Sequence, residues 1–278
     1  MSLRDVREVV VASADVAASA RFHSAAFDLE VLGQDAGSTL LGVPGSTGGR
    51  LRLVPAADRP ADPTPPALWD PGARLLGIYS RDLPATAAAI AAAGGRPRNP
   101  VTYPYGTASL SELVAQGADG IWWTVPQAVD GAHRPSPALA ADAARLHSEL
   151  HTVVLVVDDH DAAVRFFVAG GLRVVFDGTM TGPDFEELVG MPAGAALRLA
   201  FLVGPDEAPA RVEIMSFTGV TATDRGDDPV GIRRIVFAAD DPAADRARLL
   251  ATGATELDGG LLRGPAGVEI ALVAREQR

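Results

Sequence analysis

Four stretches of the chain share one alternation of apolar and polar positions. Residues 6–31 match residues 150–175 without a gap, and in both an apolar strand is followed by an Asp, an Ala-rich amphipathic helix and a second strand. Residues 75–95 match residues 233–254 in the same order, and a Gly follows each helix. The pattern predicts four repeated units, each with one helix between short strands.

Each predicted helix begins at an acidic residue. An Asp at this position accepts hydrogen bonds from the free backbone N–H groups of the first turn. The four predicted capping residues are Asp15, Asp82, Asp159 and Asp240. Gly and Pro then mark the turns between the short strands that follow.

Polar and Pro-rich connectors separate the units. Residues 55–72 join the first two units, and residues 218–230 join the last two. We predict a first domain at residues 1–127, a linker at 128–147 and a second domain at 148–278, each domain containing two units.

The third unit carries an insertion at residues 182–195, GPDFEELVGMPAGA. Its DFEELVGM segment is predicted to form one or two helical turns. Such a segment can cover the mouth of a site or be a plain insertion, and the sequence leaves both readings open.

Composition excludes several functions. The 278 residues contain 24 Arg plus Lys against 35 Asp plus Glu, and the net charge of −11 disfavours nucleic acid as a partner. The chain has no Cys, so disulfides, thiolate nucleophiles and Cys-ligated metals are excluded. It has no Lys either, which removes Schiff-base and P-loop lysine chemistry.

Neither a membrane nor an export signal is expected. No apolar run approaches the ~20 residues that a membrane span requires. The segment MSLRDVREVV carries charges where a secretory signal would be apolar. We therefore expect a cytoplasmic protein.

The order of strand, helix and three strands, repeated in pairs, resembles the vicinal-oxygen-chelate superfamily of glyoxalase I, bleomycin-resistance proteins and extradiol dioxygenases. The resemblance covers about residues 6–125 and 150–273, and it is strongest at HTVVLVVDDHDAAVRFF, GADGIWW and GPAGVEIALV. It implies an α+β fold in which four βαβββ units pair into two curved, eight-stranded mixed sheets, each forming a ligand cup. Since duplication completes both cups within one chain, a monomer and a homodimer are both open.

Superfamily members that bind a metal place one ligand on each of four strands in a cup. In the first half these positions fall on Glu8, Arg52, Leu76 and Thr124. In the second half they fall on Thr152, Glu213, Arg234 and Ala271. Neither set supplies the three or four nitrogen and oxygen ligands that hold a divalent ion, so we predict no metal cofactor.

His151 leaves one alternative metal site open. It lies one residue before Thr152, so strand alternation turns it away from the cup unless a bulge near residues 158–159 shifts the register. With that bulge, the site for a divalent ion would consist of His151, Glu213 and Glu269.

The arginines at the former ligand positions suggest internal neutralisation. A buried charge without a partner is costly, and Arg can donate two hydrogen bonds to one carboxylate. We therefore predict that Glu8 faces Arg52 in one cup and that Glu213 faces Arg234 in the other.

Alternation also predicts the residues that line the cups. The apolar candidates are Ile78, Trp122, Val154, Met215, Phe217, Val236 and Ala271. The polar candidates are Glu8, Arg52, Thr124, Thr152 and Glu269. Mostly apolar walls with a few polar groups favour a flat or hydrophobic organic ligand.

Two classes of function follow. The resemblance to the bleomycin-resistance branch implies metal-free binding of an apolar or aromatic natural product, in antibiotic resistance or as an accessory protein in biosynthesis. The alternative is an enzyme of the same superfamily, a dioxygenase, lyase or isomerase, working in the second-half cup with or without a metal ion. Without metal, His151 would be the acid or base, Arg234 would stabilise an oxyanion and Glu213 would orient either group.

Overall fold

The computed structural model describes residues 3–58, 64–105, 108–129, 134–205, 210–226 and 228–275. The strands are β1 (Leu3–Ser13), β2 (Glu30–Asp35), β3 (Ser38–Gly42), β4 (Arg50–Pro55), β5 (Gly72–Ser80), β6 (Arg96–Pro97), β7 (Val101–Tyr105), β8 (Ala108–Gln116), β9 (Trp122–Pro126), β10 (His147–Val156), β11 (Arg173–Met180), β12 (Ala196–Val203), β13 (Arg211–Thr218), β14 (Gly231–Ala239), β15 (Thr255–Glu256), β16 (Leu262–Arg263) and β17 (Glu269–Ala274). The helices are α1 (Val16–Phe27), α2 (Leu83–Ala92), α3 (Pro137–Ala141), α4 (His160–Ala169), α5 (Pro183–Val189) and α6 (Pro242–Ala251).

The strands form two mixed sheets. Sheet A has the order β15-β16-β17-β14-β1-β4-β3-β2, and sheet B has the order β11-β12-β13-β10-β5-β9-β8-β6, with β7 paired to β8. The predicted α+β class and the four paired βαβββ units are therefore confirmed.

The choice of partner units differs from the expectation. We expected each half of the chain to close its own sheet, but β1 of the first unit pairs with β14 of the fourth, and β10 of the third unit pairs with β5 of the second. The physical reason is that all four units present a similar opening strand, so the repeat alone does not specify which edges meet. Each sheet therefore draws on both halves of the chain.

One apolar core joins the helices to one face of each sheet. Val9 and Val11 of β1 belong to it, and so does Ile78 of β5. Helix α1 packs Phe27 against Trp123 of β9, with 4.1 Å between ring centroids. Burying each such side chain contributes about 1.5–3 kcal/mol, so this core fixes which face of each sheet remains for a ligand.

The helix caps confirm three of the four predicted N-termini and correct the fourth. The side chains of Asp15, Asp82 and Asp159 each accept a backbone N–H at 2.9 Å. Helix α6 is capped by Asp241, whereas Asp240 pairs with an Arg of β1 at 2.7 Å. This shift of one residue changes which residues of the second and fourth units are equivalent.

No helix in the described part of the chain is both long and apolar enough to cross a bilayer.

Candidate functional site

The face of sheet B that points away from the core holds a cavity. Its walls are mostly apolar and include Leu110, Leu199 and Met215. Helix α5, the predicted helical turn of the insertion, covers it with Phe185 and Leu188. The inserted segment therefore forms part of the cavity wall.

Two carboxylates lie among these apolar walls, and the first is Glu112 of β8. Tyr103 donates its phenol proton to Glu112 Oε2 at 2.5 Å, and the Thr124 hydroxyl donates to Oε1. Burial raises the pKa of Glu112, although the Thr124 and Tyr103 hydroxyls oppose that shift. No ion pair to Glu112 is found in the described ranges.

The second carboxylate is Glu213 of β13, which is 4% exposed. Its Oε2 lies 3.7 Å from Arg211 Nη2 and accepts a hydrogen bond from the Thr152 hydroxyl at 3.4 Å. Burial raises the pKa of Glu213 to about 7, with the charge of Glu112 adding to the shift and Arg211 opposing it. Glu213 can therefore exchange a proton near neutral pH.

Arg211 also packs against an aromatic ring. Its guanidinium carbon lies 3.7 Å from the ring centroid of Phe201, in the geometry of a cation–π contact. The cavity wall thus already accommodates one cation between an aromatic face and a carboxylate.

His151 enters the cavity through a β-bulge. Leu150 pairs with Ile78, but Thr152 pairs with Gly77, so β10 has one more residue than β5 at this point. His151 and Thr152 consequently both reach the cavity side, and the His151 ring stacks on Tyr79 at 3.9 Å between centroids.

The bulge that the sequence left open is present, although it lies at residue 151 and not near residues 158–159. Strand β1 shows an irregularity at the equivalent place, between Val6 and Glu8. The two opening strands thus share a register shift as well as a sequence pattern.

The predicted pair of Glu8 and Arg52 is confirmed on sheet A. Arg52 donates to both carboxylate oxygens, at 2.7 and 3.1 Å, and these hydrogen bonds raise the pKa of Arg52. The predicted pair of Glu213 and Arg234 is wrong, because β13 and β14 belong to different sheets. Arg234 instead donates to Glu269 at 2.7 and 2.9 Å.

The structure divides the predicted site residues between the two sheets. On sheet B, those that line the cavity or pack beside it are Trp122, Thr124, His151, Thr152, Val154, Glu213, Met215 and Phe217. On sheet A lie Glu8, Arg52, Arg234, Val236, Glu269 and Ala271. Ile78 belongs to the core on the opposite face of sheet B, so its predicted place in a cup is wrong.

The predicted catalytic group is divided in the same way. His151 and Glu213 line one cavity, but Arg234 lies on the other sheet. Arg211 occupies the place beside Glu213 that the sequence analysis gave to Arg234.

The donor groups do not fit a divalent metal ion. At the four strand positions, sheet B presents Thr152, Glu213, Leu75 and Thr124, and sheet A presents Glu8, Arg52, Arg234 and Ala271. One carboxylate with two hydroxyls is a weak set of ligands, and an arginine cannot serve as one. The alternative site of His151, Glu213 and Glu269 is not assembled, since Glu269 lies on sheet A. The described residues contain no cluster of three His, Asp or Glu side chains that could hold a metal.

Three cavity residues escaped the sequence analysis although the sequence carried a signal for each. Arg211 precedes Glu213 by two residues and therefore shares its face of β13. Glu112 shares its face of β8 with Leu110 and Val114, and the alternation of this strand was not read. Tyr79 was missed because the alternation of β5 was read with its neighbour Ile78 facing the cup, whereas the structure places Ile78 in the core.

The chain folds as two mixed sheets built from four βαβββ units, with a cavity against one of them, and solved structures share this fold. Glyoxalase I from Zea mays has this fold: it is 18% identical to this chain, with a TM-score of 0.67 over 98% of this chain and 92% of that one. A candidate dioxygenase from Bacillus subtilis is 11% identical, with a TM-score of 0.62 over 98% of this chain and 86% of that one. No family model and no curated protein matches the sequence.

Proposed function

We propose that the protein binds an apolar or aromatic small molecule in the cavity of sheet B without a metal ion. The observation that supports this is the composition of the cavity, which combines walls of Leu, Met and Phe with a small polar end at Glu112 and Glu213. Apolar walls with a few polar groups at one end are the usual composition of a pocket that binds an organic ligand. Sequestration of a natural product in antibiotic resistance, or its transfer during biosynthesis, would use such a cavity.

Fluorescence titration with the neutral dye N-phenyl-1-naphthylamine tests the proposal. We expect saturable binding of about one dye per chain that persists after treatment with a chelator. Met215→Trp should abolish binding by filling the cavity, whereas Val31→Trp, at an exposed position of β2, should not. Absence of binding, or binding that depends on an added divalent ion, would contradict the proposal.

A metal-independent enzyme is the second candidate, and the pKa of Glu213 favours it. A carboxyl that titrates near pH 7 beside an organic ligand can act as a general base, with Arg211 close enough to stabilise an oxyanion. Chemical conversion of a bound compound, detected by mass spectrometry and lost in Glu213→Gln, would favour the enzyme over the binding protein.

A further inference from the structure

The polar end of the cavity has an uneven distribution of charge. Glu112 and Glu213 both line it. Among the described residues that line the cavity, Arg211 supplies the guanidinium. Arg211 lies 3.7 Å from Glu213, and its charge also acts on Glu112, so one guanidinium faces two carboxylates. The hydrogen-bond partners of Glu112 are the hydroxyls of Tyr103 and Thr124. A hydroxyl donates a hydrogen bond but does not cancel the charge of a carboxylate.

Glu112 retains the capacity to bind another group. Each carboxylate oxygen can accept about two hydrogen bonds, and each oxygen of Glu112 receives one from the hydroxyls described above. The side chain is half-buried and lines the cavity, so its remaining lone pairs are accessible to a ligand. Burial raises the pKa of Glu112, and a positive charge placed nearby would restore the ionised form.

Aromatic rings line the cavity that contains this carboxylate. Tyr79, Tyr103, Phe185 and Phe201 all line the cavity, and Tyr103 packs on Phe185 with 4.9 Å between centroids. The face of an aromatic ring attracts a cation, and the contact between Arg211 and Phe201 already shows this geometry.

We propose that the ligand of this cavity is an organic cation, with an apolar or aromatic body under α5 and a charged nitrogen, an amine or quaternary ammonium, directed at Glu112. This inference rests on the proposed function and adds the chemical class of the ligand. The nitrogen makes an ion pair with Glu112 and contacts the rings of Tyr103 and Phe185. A neutral ligand of the same shape forms no ion pair with Glu112.

A matched pair of fluorescent probes tests the inference at about pH 8, where 10-methylacridinium is a permanent cation and acridine is neutral. We expect the native chain to bind the cation about tenfold more tightly. Glu112→Gln keeps the acceptor for Tyr103 and removes the charge, so it should abolish this preference. Glu30→Gln, on the exposed edge strand β2, should retain it.

The outcomes separate the two proposals. Equal binding of both probes, or tighter binding of acridine, would overturn the inference and leave the proposed function intact. A preference for the cation that survives in Glu112→Gln would also overturn it, because a group other than Glu112 would then attract the cation. Failure of both probes and of N-phenyl-1-naphthylamine to bind would remove the proposed function, and the inference with it.

Discussion

Arg52 of β4 donates two hydrogen bonds to Glu8 of β1 on sheet A. The equivalent pair of strands on sheet B, β13 and β10, presents Glu213 and Thr152. The equivalent positions of the two sheets therefore differ in charge. Sheet A holds its acids in ion pairs with arginines of the neighbouring strands. Sheet B keeps two carboxylates against a cavity, and this difference supports our proposal of a binding site on sheet B.

The pair on sheet A should contribute to stability through its two hydrogen bonds. We expect Arg52→Met to lower the free energy of unfolding by about 1–2 kcal/mol, because Glu8 then lies partly buried without its partner. The double variant Glu8→Gln/Arg52→Met should lose less than the sum of the single variants, as measured by urea denaturation. Arg165→Met, at an exposed position of α4, is the control, and an equal loss there would refute a specific role for the pair.

The raised pKa of Glu213 predicts a pH dependence of stability. Between the ordinary pKa of 4.5 and the value of about 7, the folded chain binds more protons at this residue than the unfolded chain. This contribution therefore favours folding below pH 4.5 and is lost as the pH rises through about 7. The free energy of unfolding of Glu213→Gln should not show this decrease, because glutamine does not titrate.

Urea denaturation of the native chain and of Glu213→Gln at a series of pH values between about 5 and 8 checks this prediction. The stability difference between the two chains should shift in favour of the variant as the pH rises. A difference that stays constant would show that Glu213 titrates at its ordinary pKa in the folded state.

Gly77 keeps the polar end of the cavity in place. A Cβ at this position would lie 2.3 Å from Thr152 Cγ2 and 3.0 Å from both Thr124 Cγ2 and His151 Nε2. We expect Gly77→Ala to displace these side chains, to lower the free energy of unfolding by about 1–3 kcal/mol and to weaken binding of N-phenyl-1-naphthylamine.

Gly33→Ala is the matched control for this substitution. Gly33 lies in β2, and a Cβ there would meet nothing within 4 Å. Thermal denaturation and dye titration of both variants test the role of close packing at Gly77. If the two variants had equal stability and bound the dye equally well, close packing at Gly77 would not hold the cavity in place.

The sequence predicted the fold better than the site, for physical reasons visible at particular residues. The repeated strand and helix patterns depend on local alternation and on capping, and these local signals were sufficient to predict the four units. The site depends on which units pair, and this involves contacts between distant strands such as β1 and β14. The Glu8 and Arg52 pair was predictable because both residues belong to one unit, but the partner of Arg234 required knowledge of the sheet order.

A one-residue error had large effects because side chains alternate in a strand. The prediction of Ile78 as a cup residue turned Tyr79 to the other face of β5, whereas the structure places Tyr79 in the cavity wall and Ile78 in the core. The bulge at His151 had the opposite effect, bringing in a residue that regular alternation turned outward. Backbone irregularities of this kind follow from pairing with a neighbouring strand, and they leave no clear mark in a single sequence.

Two connectors that the sequence predicted as linkers are joined beside the cavity by Asp70, which is 1% exposed. Its carboxylate accepts the backbone N–H groups of Ala67 and Thr223 at 2.8 Å and pairs with Arg225 at 3.2 Å. The first connector also places Leu68 in the cavity wall.

Asp70→Asn should therefore loosen the wall of the cavity. We expect it to lower the free energy of unfolding by about 3 kcal/mol, because Arg225 loses a buried counter-charge, and to speed release of N-phenyl-1-naphthylamine in stopped-flow dilution. Asp258→Asn, at an exposed position before β16, should change neither quantity. If stability falls while the release rate stays constant, the connectors stabilise the fold without controlling release of the dye.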